Sequence, residues 1–221
     1  MSIIIALSAA FILGVQHAFE PDHVVAISTI TTRSRSILRS LVTGSLWGLG
    51  HTVTLLIAGM LLILLKVQLP MSVAASFELG VGLMLIVLGI WALVTLKKRK
   101  LHLHVHSHEG KDHAHFHSHA ETESHQHAHV PFSVGIVHGL AGSGAMVILV
   151  MSTMTNLLQG FLFIASFGLG LIIAMSLIAS ALGLPSVFGG KSSALISSIL
   201  SGGAGLLSMG LGAFILLSFF L

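Results

Sequence analysis

The chain has 221 residues, of which 54% are hydrophobic and 8% are charged, and it contains no cysteine. Its mean hydropathy is +1.00, whereas a soluble domain needs far more charge on its surface. The lack of cysteine excludes disulfides and thiolate metal sites. Apolar runs long enough to cross a bilayer recur without period-2 alternation, so the composition predicts an all-α, polytopic membrane protein.

The apolar runs predict six transmembrane helices. The polar segment 97–130 separates three of them, in residues 1–96, from three more, in residues 131–221. Pro21 is expected to kink the first helix. The predicted helices cover residues 3–30, 37–65, 71–96, 131–154, 157–184 and 192–221.

Basic residues predict how the chain is oriented in the cell membrane. With six spans, the first, third and fifth connections share one side, and nine of the ten Lys and Arg residues lie in or beside them. Lys66 alone falls on the other side. Because positive charge concentrates in cytoplasmic connections, we expect both termini outside and segment 97–130 in the cytoplasm. The basic pI therefore requires no nucleic-acid partner.

Short stretches of the first half recur in the second half. Residues 14–18 (GVQHA) resemble 135–139 (GIVHG), an offset of 121, and residues 47–50 (WGLG) resemble 167–170 (FGLG), an offset of 120. A three-helix unit repeated once must be inverted in the membrane, an architecture typical of transporters. A third match at an offset of 121 aligns Gly82 with Gly203 and Gly89 with Gly210.

Ionisable residues within the predicted spans indicate a metal site. Such groups are costly in a bilayer and usually functional, although histidines can also serve as interhelical hydrogen-bonding groups. In an ideal helix His17 and His23 would point about 120° apart, but Pro21 cannot donate to the carbonyl of His17, so a local break can bring them together. The predicted ligands are His17, Asp22, His23, His51 and His138, with supporting roles for Glu20, Pro21 and Ser143.

The type of ligand limits the choice of metal. Imidazole with carboxylate suits nickel, zinc, copper or iron(II) and suits magnesium or calcium poorly. The absence of cysteine argues against copper(I). Nickel, cobalt and zinc remain open on ligand chemistry alone.

Two motifs carry a resemblance to a known family. Residues 17–23 (HAFEPDH) are similar to the His-x4-Asp-His signature of the nickel/cobalt transporter (NiCoT) superfamily, and residues 50–53 (GHTV) resemble its second motif. The six-span layout and residues 137–144 (VHGLAGSG) resemble the UreH-like urease-accessory membrane proteins of that superfamily. This resemblance implies a Ni²⁺ or Co²⁺ permease whose first motif binds the metal. Residues 174–179 (AMSLIA) lack the acidic residues of the superfamily's second-half motifs.

The polar segment 97–130 is rich in histidine. Such a composition is typical of metal binding, and we expect a disordered loop that holds divalent ions weakly at many places. A solvated linker is the alternative interpretation. The auxiliary metal-binding residues would be His102, His104, His106, His108, His113, His115, His117, His119, His125, His127 and His129.

Together these features predict a membrane permease for Ni²⁺ or Co²⁺, with Zn²⁺ as a further candidate substrate, no organic cofactor and no enzymatic activity. Uptake is favoured over efflux, and the expected partners are the metal ion, the lipid bilayer and a cytoplasmic metallochaperone. The main alternative is a membrane-anchored accessory protein that buffers nickel for a metalloenzyme such as urease. A less favoured alternative is an intramembrane zinc hydrolase with Glu20 as its base.

Overall fold

The structure is a computed structural model of the chain. It describes residues 3–32, 34, 36–67, 70–98, 101–108, 111–118, 129–139, 156–188 and 193–220. These residues form seven helices and two strands, so the all-α class is confirmed for the described apolar residues. The elements are α1 Ile3–His17, α2 Pro21–Thr31, α3 Ile37–Leu65, α4 Met71–Lys98, β1 Leu101–His108, β2 Lys111–Ser118, α5 His129–His138, α6 Leu157–Phe188 and α7 Ser193–Phe220.

Four of the described helices, α3, α4, α6 and α7, are long and apolar enough to cross a membrane. Helices α1 and α2 satisfy the same criterion only as a bent pair, which makes five candidate spans. The predicted span 131–154 begins with α5, which ends at His138, and residues 140–155 lie outside the described residues. The count of six spans therefore stays a prediction.

The predicted kink in the first span is a break between two helices. Helix α1 ends at His17, helix α2 begins at Pro21, and their axes differ by 60°. Proline suits the first helical position because the amide it lacks would have no acceptor there. The carbonyl of His17, to which Pro21 cannot donate, instead accepts a hydrogen bond from the Glu20 amide at 3.1 Å.

Helices α3 and α6 form the central pair of the bundle. Helix α1 packs on α6, α5 packs on α3, and α4 pairs with α7, while α2 contacts α4, α6 and α7. The core between them includes Ile27, Leu55, Leu85, Leu171 and Met175. Large apolar side chains also cover the outer faces of the helices, as lipid contact requires.

Glycines let several pairs of these helices approach very closely. At four positions between α1 and α6 and between α3 and α5, an added Cβ would overlap a backbone carbonyl oxygen of the neighbouring helix. Small residues at such contacts are the usual means of tight packing between membrane helices. The pairs are Gly14 with Phe167, Gly170 with Phe11, Gly135 with Trp47, and Gly50 with Phe132.

The His-rich segment contains a hairpin. Strands β1 and β2 pair antiparallel, with Leu101 opposite Ser118 and His108 opposite Lys111. This differs from the disorder expected over these residues. Leucine, valine, alanine and phenylalanine alternate with histidine there, and this period-2 pattern is compatible with strands. Residues 119–128 lie outside the described part of the chain.

We predict that Gly170→Ala destabilises the bundle. The new Cβ would overlap the Phe11 carbonyl oxygen and lie 3.2 Å from the backbone nitrogen of Val15, and overpacking of this kind costs about 1–3 kcal/mol. Thermal denaturation of the detergent-solubilised protein measures the effect. Gly210→Ala is the matched control, since a Cβ there meets nothing within 4 Å. Equal melting temperatures for the two variants would contradict the prediction.

Candidate metal centre

Four helices bring the four intramembrane histidines together. His17 is the last residue of α1 and His138 the last of α5, while His23 lies in the first turn of α2 and His51 in the middle of α3. All four are buried, at most 5% exposed. The break before Pro21 is what lets the end of α1 and the start of α2 present histidines to one place.

Three of these histidines form a group that we name the first triad: His17, His23 and His51. The two Nε2 atoms of His17 and His51 are 3.1 Å apart, and one ligand nitrogen from each of the three lies within 4.8 Å of the others. Two ligands bound at about 2.1 Å to one metal ion are about 3.0–3.4 Å apart when the angle between them is about 90–110°. The first triad is therefore spaced to hold one transition-metal ion.

Asp22 links the two halves of the chain. One oxygen, Oδ1, accepts hydrogen bonds from the backbone amide and from Nδ1 of His23, both at 2.9 Å. The other oxygen, Oδ2, is 2.9 Å from Nε2 of His138. An ionised carboxylate only accepts, so both rings donate to it. One ligand atom each from Asp22, His23 and His138 also lies within 4.8 Å of the others. We name these three residues the second triad.

Glu20 contacts the first triad from the break between α1 and α2. Its Oε1 lies 3.1 Å from Nδ1 of His17, and its side chain is partly exposed. A proton on Nδ1 that faces this carboxylate leaves the lone pair of His17 on Nε2, the atom that faces His51. Carboxylates commonly orient metal-binding histidines in this way.

Several nitrogens at this centre have no hydrogen-bond partner in the part of the chain that the structure describes. They are Nε2 of His23, Nδ1 of His51, Nδ1 of His138 and Nε1 of Trp47. A buried polar group without a partner costs about 1–3 kcal/mol. A bound cation would supply a partner for imidazole nitrogens, so these atoms fit a metal site.

Two aromatic rings enclose the centre, and the sequence identified them only as members of the repeat. The centroid of Trp47 lies 4.9, 5.4 and 5.1 Å from those of His23, His51 and His138. Phe167 lies 5.4 Å from His17. Trp47 precedes His51 by one helical turn and so lies on the same face of α3. This spacing could have identified Trp47 as a neighbour of the site from the sequence. Phe167 has no such neighbour in sequence.

None of the remaining predicted residues that the structure describes belongs to either triad, and several fall outside the described residues. Ser143 falls outside, as do His119, His125 and His127. His129 begins α5 and is exposed. The other seven loop histidines are in β1 and β2.

Comparison with known proteins identifies the family. A family model described as "High-affinity nickel-transport protein" (NicO) matches residues 3–138, more than half of the chain. The chain belongs to the NicO family. It is also 40% identical over 179 residues to the urease accessory protein UreH of Bacillus sp. (strain TB-90). The aligned residues make up 81% of this chain and 76% of that protein. No solved structure matches it.

Membership of the NicO family confirms the resemblance to nickel transporters and to UreH-like proteins. The family is one of nickel transport and not of enzymes, and its substrate is a divalent metal ion. With the apolar helices, this makes the NicO-family chain a multi-pass membrane protein. The residues matched by the family model include every member of both triads.

We predict that Ni²⁺ raises the melting temperature of the purified protein. A ligand at 100 times its Kd stabilises the folded state by about 2.7 kcal/mol if it does not bind the unfolded chain. The shift should become much smaller in His51→Ala, which removes a first-triad nitrogen, and persist in Glu78→Gln, which changes an exposed carboxylate on α4. An undiminished shift in His51→Ala would contradict binding by the first triad.

Proposed function

We propose that this chain is a permease that carries Ni²⁺ into the cell through the first triad. The observation that supports this most strongly is the convergence of four buried histidines and Asp22 from separate helices. A structural role alone would not leave so many imidazole nitrogens of the centre without a hydrogen-bond partner among the described residues. Ligand chemistry allows Co²⁺ and Zn²⁺ as competing ions.

The proposal includes an inverted repeat of three helices, and equivalent contacts support it. Gly14 of α1 faces Phe167 of α6, and Gly135 of α5 faces Trp47 of α3. The offsets of the repeat relate these two pairs. Gly14 corresponds to Gly135 at an offset of 121, and Trp47 corresponds to Phe167 at an offset of 120. His17 also packs on Phe167 at 5.4 Å as His138 packs on Trp47 at 5.1 Å.

A second set of contacts follows the same rule. Gly170 faces Phe11 and Val15, and Gly50 faces Phe132 and Ile136.

The contacts of α4 with α7 also relate the two halves, but the residues that they make equivalent differ by two positions from those of the sequence match. Gly82 faces Gly212 and Gly89 faces Gly205, while Gly203 and Gly210 face open space. These contacts favour Gly205 and Gly212, not Gly203 and Gly210, as the equivalents of Gly82 and Gly89.

In this proposal the nickel site lies where the first span is broken. Broken helices that line an ion site near the bilayer midplane, between inverted repeats, are a transporter architecture. Movement of one repeat against the other would expose the first triad to either side in turn. We place the termini outside and the His-rich segment in the cytoplasm, where it would hold incoming nickel before a metallochaperone takes it.

We predict that nickel accumulation in cells that express the protein depends on the buried ligands. Removing a metal ligand or its hydrogen-bonded carboxylate should lower accumulation about 10–100-fold, so His17→Ala, Asp22→Ala and His51→Ala should all approach the empty-vector level. Glu78→Gln is the control and should match the wild type. Radioactive nickel measured at equal expression provides the test. Unchanged accumulation in all three variants would overturn the proposal, and a decrease on wild-type expression would indicate export.

A second candidate function is that of a membrane-anchored accessory protein that buffers nickel for a metalloenzyme. The name of the relative from Bacillus sp., a urease accessory protein, favours it, as do the eleven histidines of segment 97–130. The two functions differ in which histidines are essential.

We predict that the loop is dispensable for flux. If the ten histidines of the loop before α5, from His102 to His127, are replaced by serine, a permease keeps most of its nickel transport because the buried triads are intact. An anchor with a chelating loop would lose its function. Nickel accumulation and urease activity, measured in the same cells, separate the two outcomes.

A further inference from the structure

We infer that nickel occupies two positions in succession, the first triad and then the second triad, and that His23 is a ligand in both, through a different ring nitrogen in each. This inference rests on the proposed permease function. It assigns Asp22 and His138 to a separate ion position and not to a single site with five ligands.

The ligand atoms divide into two groups. One ligand atom from each of His17, His23 and His51 lies within 4.8 Å of the others, and the same is true of Asp22, His23 and His138. Among the described residues, no such group joins His138 with His17 or His51. His23 belongs to both groups, so it is the one ligand that both positions share.

The second triad has the spacing of a metal site. Asp22 Oδ2 is 2.9 Å from Nε2 of His138, and Asp22 Oδ1 is 2.9 Å from Nδ1 of His23. These separations are close to the value of about 3.0 Å expected for two ligands bound at right angles to one metal ion. The carboxylate also supplies negative charge, which the first triad lacks and which a buried divalent cation requires.

His17 and His138 lie on either side of His23. Their ring centroids are 4.3 and 4.2 Å from that of His23, and each is the last residue of its helix. Under the inverted repeat they are equivalent residues on opposite sides of the membrane midplane. A step from the first triad to the second is thus a step along the transport direction.

The unpaired nitrogens give this step a proton balance. With the ion in the first triad, Nδ1 of His23 and Nε2 of His138 both donate to Asp22. When the ion binds in the second triad, these two protons must leave those atoms. Once the ion has left Nε2 of His23, that atom and Nδ1 of His138, which have no hydrogen-bond partner among the described residues, can carry them. No proton is gained or lost overall.

The test compares nickel binding with nickel flux in the full-length protein whose loop histidines are replaced by serine, so that the loop adds no sites. His138→Ala should still bind one Ni²⁺, with little change in Kd by calorimetry, while flux into proteoliposomes falls about 10–100-fold. His51→Ala should lose affinity by a similar factor. If His138→Ala weakens binding as much as His51→Ala does, one shared site is the better account. Unchanged flux in His138→Ala would also overturn the inference.

His138→Gln is the control for the case in which His138→Ala fails to fold. The glutamine amide can still donate a hydrogen bond to Asp22, but it is a poor metal ligand. It should lose flux in the same way as His138→Ala.

A second experiment measures nickel binding alone and does not depend on transport. The double variant His17→Ala with His51→Ala should bind one Ni²⁺ weakly, and adding His138→Ala should abolish that binding. Loss of all binding in the double variant would overturn the second position. A wild-type protein that binds nickel without carrying it would instead refute the permease function.

Discussion

The arrangement of this centre depends on the Asp22 carboxylate, which accepts hydrogen bonds from His23 and His138 at once. A carboxylate in an apolar bundle is tolerated only when its oxygens are paired, so this interaction ties the start of α2 to the end of α5. Because His138 comes from the second half of the chain, the bond also joins the two halves at the candidate metal centre. The other features of the bundle place these three side chains within reach of one another.

Backbone features supply that placement. The 60° break at Pro21 turns His17 and His23 toward each other, whereas a continuous helix would point them about 120° apart. Gly50 and Gly135 let α3 and α5 come close enough for a Cβ at either position to overlap the other backbone, which brings His51 and His138 to the same region. The candidate ligands are therefore positioned by one proline and a few glycines, whose side chains offer no metal-binding atom.

Local features of the structure could be predicted from sequence, and long-range contacts could not. The range 37–65 of α3 and the break at Pro21 follow from apolar length and proline chemistry. Asp22 and His138 were predicted as ligands of one site, but the hydrogen bond between them could not be predicted because 116 residues separate them. Phe167 was missed as a site residue for the same reason. The glycine alignment in α4 and α7 was displaced by two residues because an apolar, glycine-rich helix matches several registers equally well, and alternation in the His-rich segment was not recognised as a strand pattern.

The central claim is that the buried histidines hold nickel between the two halves of the bundle. Anomalous diffraction at the nickel absorption edge, from crystals of the full chain grown with Ni²⁺, tests it most directly. The account predicts an anomalous peak inside the bundle, about 2.1 Å from a ring nitrogen of each first-triad histidine, His17, His23 and His51. At saturating nickel, anomalous signal confined to the His-rich segment, with none among these side chains, would contradict it.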